Sequence, residues 1–446
     1  MVPPRPSRPV PPSSRPPGRA RWRAALGLAA ALASTGALCG PDPGQQPTEA
    51  PADTPEERII QKVHRQLRAT GISVDVAKLR IETRARNEIS ADLGALLELG
   101  LRPEHVELLW QLRGVLESTP PVRSLSGLRR RAVEARLPSA SVYYATDRRA
   151  LVFVDPDEQD PEDLEGAAAG GLIYAFYDQG PGGLSEALYD AQGRLDGVRV
   201  RQCLLEGHVH LAQMLAWYGD LDQLDDEALE ELDPPPTELF ATLTETPCGP
   251  GSAYLWEKYV DGGWAAVLRA VRSPPVSSEQ LMHPAKIDQD FPVNVALPRW
   301  PDDEFGDENP YGEATLVHED MVGELTIHRL LLERGVDPGD AMRAAVGWDG
   351  DRVRTYEHAS GRVIIWRSAW DREVDAQQFA AAIAPKGIEP RAFRVERHGR
   401  VVDAVSGSDP ELVGRLHAVL AARTGEPSAQ PADAASTASV EAQLPR

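Results

Sequence analysis

The sequence predicts an α+β fold: a mostly helical core with a small β-sheet, a helical segment before it and a ββαββα module after it. Two observations lead to this. Apolar residues recur at three- and four-residue spacing through much of the chain, and from Arg352 onward they alternate instead. A third observation is punctuation, since Gly100, Pro103, Asp160-Pro161 and Pro274-Pro275 fall where periodic stretches begin or end.

From Thr54 to about Arg136 the pattern is helical. Ile59, Ile60, Val63 and Leu67, then Leu93, Leu96 and Leu97, then Leu108, Leu109, Leu112 and Leu116 keep the helical period. Val142-Tyr143-Tyr144 and Leu151 to Val154 are β runs around a polar Asp147-Arg148-Arg149 turn, which makes a hairpin. Asp160 is an N-cap followed by proline at the first helical position, so a helix should run to about Asp178. A second helix is expected from about Gly197 to Tyr218, then an acidic loop from Asp220 to Asp233. Tyr254 to Val271 reads as a helix interrupted at Gly262-Gly263, and Pro284 to Gly312 as a long loop. Helices are expected at Met321 to Arg334 and Pro338 to Val346. Strands follow at Arg352 to His358, Arg362 to Trp366, Ala392 to Arg397 and Val401 to Val405, with helices Asp375 to Ala384 and Pro410 to Ala422 interleaved.

Charge narrows the partners. The chain of 446 residues has a formal net charge of −21. Its first 23 residues hold six arginines and no acid, so the remainder is more acidic still. Such a surface repels nucleic acid and anionic lipid, so no nucleic-acid partner is expected.

Arg19, Arg21 and Arg23 precede an apolar run from Ala24 to Leu38, which is shorter than the roughly 20 residues of a spanning helix. An export signal is the expectation, with the protein in the periplasm or cell envelope. Cys39 follows, and then a Pro/Gln/Asp-rich tether. Cysteine at that place resembles a bacterial lipobox, although Leu38 is larger than the residue usually found before the cysteine. Lipidation at Cys39, cleavage around Ala31 to Ala33 and an uncleaved anchor are the three readings. The whole divides as 1–38 signal peptide, 39–56 disordered tether, 57–136 helical region, 137–346 core, 347–424 α+β module and 425–446 disordered tail.

Cys203 and Cys248 are the two other cysteines. In an oxidising compartment they can bridge; the alternative is two buried thiols acting as small apolar residues.

Several phrases together resemble exported bacterial and archaeal zincin-like proteins of the gluzincin type, metallopeptidase-related surface proteins or lipoproteins. They are Tyr177-Asp178-Gln179, Leu205-Glu206-Gly207, Gly262-Gly263-Trp264, Pro274 to Gln280 with His283-Pro284, Gly323-Glu324 and Gly347 to Arg352. In that group the first helix carries an HExxH motif and ends in Asp-Gln. Registering that end on Asp178-Gln179 puts the histidine positions on Gly170 and Tyr174 and the glutamate position on Gly171. The resemblance therefore implies a zincin-like core whose metal motif is degenerate, with Glu206 at the place of the third ligand. Two imidazoles and a general base are what zinc hydrolysis needs, so no catalytic residue carries over.

Glu206 and His210 are the remaining metal candidates. At about 100° per residue they lie one turn apart, whereas Glu206 and His208 diverge by roughly 160° and His208 joins the apolar stripe. A third ligand would have to be His318, His328 or Glu324. The plainer expectation is that His208 is a core histidine and that Glu206 and His210 hydrogen-bond to each other. Gly166, Gly170 and Gly171 each cost a helix about 1 kcal/mol relative to alanine, which close packing by another backbone offsets; Tyr174, Phe176 and Tyr177 would then plug the old cleft. Trp264 reads as a core aromatic. Asp349 and Asp351 read as a turn before a strand rather than a calcium loop, and the Asp302-Asp303-Glu304 and Asp307-Glu308 cluster as a solvated loop.

No nucleophile elbow, phosphate loop or dinucleotide fingerprint occurs. The expectation is a non-catalytic binding or structural module, a pseudoenzyme without cofactor, for a protein, peptide or envelope ligand, with a membrane as a further partner on the reading that Cys39 is lipidated. The alternative is a zinc peptidase rearranged around Glu206 and His210.

Overall fold

Thr54 opens the first helix with a capping box. Its hydroxyl accepts from the Glu57 N–H at 3.2 Å, while the Glu57 carboxylate accepts from the Thr54 N–H at 3.1 Å. The helix α1 (Pro55–Ala69) buries Ile60, Val63 and Leu67, as their spacing requires. In the computed structural model the described residues are 54–98, 102–116, 125–189, 193–223, 248–297, 300, 311–385, 392–422 and 428–431. The expected export signal, Cys39, most of the expected tether, most of the acidic loop, the Asp302 to Glu308 cluster and the end of the tail lie outside them.

After α1 the chain forms strand β1 (Arg80–Arg84) and helices α2 (Ser90–Glu98), α3 (Pro103–Leu116) and α4 (Leu125–Arg136). The hairpin forms as expected, from β2 (Val142–Ala145) and β3 (Ala150–Val154). β1 is a correction to the all-helical reading of 57–136: it pairs in parallel with β3, giving a three-stranded sheet in the order β1-β3-β2. Four of its five residues, Arg80, Glu82, Thr83 and Arg84, are polar and it sits at a sheet edge, so it carries no apolar alternation. Strand β3 is apolar throughout because both faces are covered. Leu151 and Phe153 enter the main helical core, while Ala150, Val152 and Val154 meet Ile89, Leu93 and Val133 of the α2–α4 side.

The main core is a helical layer on that sheet. Asp160 caps α5 (Pro161–Gln179) by accepting from the Glu162 N–H at 2.8 Å. After α6 (Gly183–Leu188), helix α7 (Leu195–Tyr218) packs between α5 and α8 (Gly249–Arg272). Helix α8 bends at Gly262 and Gly263, where the backbone leaves helical geometry and Gly263 takes a φ of 62°. The approach of α7 to α8 is very close: a Cβ on Gly207 would lie 2.5 Å from the Gly251 carbonyl carbon. A disulfide joins Cys203 to Cys248 beside that crossing.

Helix α9 (Ser278–Met282) and the short strand β4 (Val293–Asn294) lead into the second layer. There β5 (Ala314–Asp320), α10 (Glu324–Glu333), α11 (Pro338–Ala345), β6 (Trp348–His358), β7 (Gly361–Trp370), α12 (Glu373–Ile383), β8 (Ala392–His398), β9 (Val401–Gly407) and α13 (Pro410–Ala422) follow. The sheet order is β5-β6-β7-β9-β8, antiparallel at every pairing. Alternation in β7 splits its side chains between two cores. Ile364, Trp366 and Trp370 face α3, α10, α11 and α12, while Val363 and Ile365 face α13.

The ββαββα module thus has a fifth strand, and the boundary drawn at 346/347 cuts the β5–β6 ladder. Likewise the boundary at 136/137 cuts the β1–β3 pair. The tail expected to be disordered from 425 contributes β10 (Ser428–Pro431), which pairs antiparallel with β4. The fold class is α+β.

Candidate functional site

Gly170 lies on the face of α5 that meets α7. A Cβ there would contact Val209 Cγ1 at 3.1 Å and Gln213 Nε2 at 3.6 Å. One turn earlier, a Cβ on Gly166 would run into the Trp217 ring at 2.3 Å, and the Trp217 indole N–H donates to the Glu162 carbonyl at 3.0 Å. These two glycines let α7 and its side chains close on α5, which offsets their helix-propensity cost. Gly171 points elsewhere, toward Leu151 of β3.

Tyr174 and Glu206 are within electrostatic reach across the α5–α7 interface. Burial first, and then the Glu206 charge, push the Tyr174 hydroxyl up to about 12. Burial also pushes the Glu206 carboxyl up to about 7, against the pull of Arg136, Arg199 and the Cys248 amide. The expected Glu206–His210 hydrogen bond is not made. His210 Nδ1 is buried without a hydrogen-bond partner among the described residues, and burial lowers that ring's pKa. Among the described residues no third His, Cys, Asp or Glu closes on this pair.

The other three ligand candidates lie in different surroundings. His318 joins His105 and Asp320, Glu324 pairs with His283, and burial holds His328 at about 4.

His208 is wholly buried, as its place on the apolar stripe requires. Its Nδ1 lies 3.2 Å from the Tyr177 hydroxyl, and burial lowers its pKa to about 3. Phe176, Tyr177 and Trp264 stand around that ring at centroid distances of 6.1, 5.8 and 6.4 Å. Tyr259 extends the group from Trp264, and Trp256 stacks on Tyr259.

A second site gathers most of the remaining phrases. The Ser278 N–H donates to Asp196 Oδ2 at 3.1 Å, and Ser278 Oγ accepts from the Leu325 N–H at 3.1 Å. His283 Nε2 lies 2.9 Å from Glu324 Oε1. Asp351 accepts from the Val322 N–H, the Gly323 N–H and the Trp348 indole at 2.8, 2.9 and 2.8 Å. It is a buried anchor for the β5–α10 turn. Asp196, Glu279, Glu324 and Asp351 are all at most 1 % exposed, so four carboxyls share one water-poor place.

Burial pushes Asp196 up to about 7, Glu279 up to about 8 and Asp351 up to about 6, and it raises Glu324. Three of their oxygens, Asp196 Oδ1, Glu279 Oε2 and Glu324 Oε2, have no hydrogen-bond partner among the described residues. At the edge of the group Lys286 Nζ contacts Glu279, Asp371 at 2.7 Å and Asp290 at 2.9 Å. Burial works against that ammonium, yet the three carboxylates outweigh it and hold its pKa above the ordinary value. The acidic trio that could hold a metal is thus already bridged by a side-chain cation.

Sequence reasoning named Ser278, Glu279, His283, Glu324 and Asp351 within the phrases but missed Asp196, Lys286 and His105. Asp196 looks like an ordinary first-turn acid, and its contacts come from segments 82 residues or more away.

Residues 313–417 match a family model described as a domain of unknown function (DUF8575). That span runs from just before β5 into α13 and includes His318, Asp320, Glu324 and Asp351. No curated protein and no solved structure matches.

Proposed function

We propose that this is an exported, envelope-associated protein with a zincin-like helical core that has lost its catalytic zinc site, acting as a non-catalytic binding or structural module. One observation carries the reading. On the α5–α7 face, Gly170 is packed on Val209 and Gln213, and Tyr174 approaches Glu206. A catalytic zinc needs three protein ligands, an open position and a base beside it. Of that set the described residues bring Glu206 and His210 on one helix, and no third ligand closes on them. The aromatic group around His208 supports the same reading, because it packs rings beside α5 and α7 where a substrate cleft would need room.

The buried polar group between α7, α9, α10 and β6 supports a structural role for the retained phrases. Their hydrogen bonds go to backbone amides and to each other, which joins the helical layer to the second sheet. The ligand would be a protein, peptide or envelope component, met outside the membrane by a chain that Cys39 or the apolar segment before it tethers.

The experiment is an assay of the purified chain on casein and a mixed peptide library, with and without added zinc. No hydrolysis above background is expected. Cleavage that disappears in Glu206→Gln or His210→Ala would overturn the proposal in favour of a rearranged peptidase. For the tether, labelled palmitate that enters the wild type and not Cys39→Ser is expected; incorporation surviving that change rules out lipidation there.

A further inference from the structure

His105, His318 and Asp320 come from α3 and β5, and the start of α7 holds the carboxylate in place. Asp320 Oδ1 accepts from the Leu195 N–H and the Met321 N–H, both at 2.8 Å. That leaves Oδ2 to the two imidazoles, with His318 Nε2 at 2.8 Å and His105 Nε2 at 3.4 Å. The three ligand atoms all lie within 4.8 Å of one another. Bonds of about 2.0–2.1 Å at tetrahedral angles set ligand atoms roughly 3.3 Å apart, and the 2.8 and 3.4 Å contacts on Asp320 Oδ2 fall on either side of that value. The Gly193 carbonyl accepts from His105 Nε2 at 2.9 Å, so that nitrogen carries the ring proton and must lose it before it can ligate, as metal binding requires.

We propose that His105, His318 and Asp320 form a binding site for a divalent transition ion of the zinc type, joining α3, the α7 start and β5.

Two imidazoles and one carboxylate are the donor set that zinc and its neighbours accept, whereas calcium and magnesium take oxygen ligands. Asp320 and His105 are buried, at 1 % and 4 % side-chain exposure, and His318 at 19 % is the route by which an ion enters. The bonds on Asp320 Oδ1 are the orienting outer contacts that metal-binding carboxylates normally have. The ion would add a clip between α3 and β5 to the hydrogen bonds that already join them to the start of α7, and this site shares no residue with the α5–α7 face.

The test uses the purified full chain, stripped with a chelator and titrated with zinc in a calorimeter, with bound metal counted by elemental analysis. One zinc per chain is expected. His318→Ala should weaken binding by more than the roughly 10–100-fold that loss of an outer contact alone costs, while Glu206→Gln leaves it unchanged. His318 is partly exposed, so its variant should keep the wild-type circular dichroism; His105→Gln is the second variant. Cobalt(II) should give visible absorption that His318→Ala abolishes. Absence of zinc binding, or binding that survives both histidine changes, overturns the proposal. Zinc lost only in Glu206→Gln overturns it as well, and the peptide assay then decides separately on the pseudoenzyme reading.

Discussion

Asp196 Oδ2 accepts the Ser278 N–H at 3.1 Å, which ties the first turn of α7 to the start of α9 across 82 residues. The other oxygen of the same carboxylate has no hydrogen-bond partner among the described residues and lies against Gly323. A Cβ at Gly323 would sit 1.8 Å from Asp196 Oδ1, and its φ of 81° is one that only glycine adopts without strain. So Gly323-Glu324, a phrase that looks like a helix start, is also what lets α10 seat beside this carboxyl.

A pH dependence follows. Burial raises Asp196 to about 7; the Ser278 bond opposes this, and Asp351 on β6 and Glu324 on α10 add to it, while Arg199 on α7 lies within range. Glu279 and Asp351 are raised as well. An unfolded carboxyl ionises near 4, so these groups hold protons in the folded state that the unfolded chain releases. Their stabilisation is full below about pH 4 and is lost as pH rises toward 8. The buried His208 and His328 act oppositely, with stabilisation full above about 6.5 and lost as pH falls. Above about pH 6.5 the histidine contribution is complete and only the carboxyl contribution still changes, so melting temperature should fall between about pH 6.5 and 8. In Asp196→Asn that fall should shrink, by on the order of 1–3 kcal/mol. An unchanged alkaline limb in the variant sinks this assignment.

His283 and Glu324 give a second prediction. His283→Ala removes the partner of a carboxylate that is 0 % exposed, and the cost should be about 1–3 kcal/mol in urea unfolding. His283→Gln keeps a donor and should recover part of it. Equal losses in the two variants would mean that packing, not the hydrogen bond, holds this place.

Much of the fold was legible because its signals are local. Thr54 with Glu57, Asp160 with Pro161, and the Gly262-Gly263 break all act within a few residues, and the helices they bound match their periodic stretches. Strand β1 was not legible, because Arg80 to Arg84 becomes a strand only by pairing with β3, some 70 residues on. The same holds for β5, whose exposed Leu316 and Val317 gave no clean alternation. At the site, His208 could be placed by helix geometry alone. Glu206 and His210 could not be paired by it, since one-turn spacing sets direction and not the final rotamers. Asp196, Lys286 and His105 acquire their surroundings from distant segments, which no local pattern announces.

The glycines make a graded third prediction. At Gly170 a Cβ meets one methyl at 3.1 Å, a contact that a small shift relieves, and alanine gains about 1 kcal/mol of helix propensity. Gly170→Ala should therefore change stability by less than about 1 kcal/mol. At Gly207 the Cβ would meet the backbone of Gly251 at 2.5 Å, and two helices must move apart. Gly207→Ala should cost at least about 2 kcal/mol, in the range of overpacked cores. Chemical denaturation of both variants checks the ranking, and Gly170→Ala proving the worse would contradict the α7–α8 packing.

The Cys203–Cys248 bridge supplies the last prediction. It spans a sequence separation of 45 beside the Gly207–Gly251 contact. In the chain-entropy account, closing such a loop stabilises by about 3–4 kcal/mol by restricting the unfolded chain. The helices themselves are held by close packing, so the reduced protein should keep its circular dichroism near neutral pH while its urea midpoint falls. The Cys203→Ala/Cys248→Ala double variant should match the reduced wild type and no longer respond to reductant. Because the restriction acts on the unfolded state, a bridge that forms must shift the midpoint. A wild-type midpoint indifferent to reductant means that the two cysteines are free thiols, and the stability of the α7–α8 crossing then rests on packing alone.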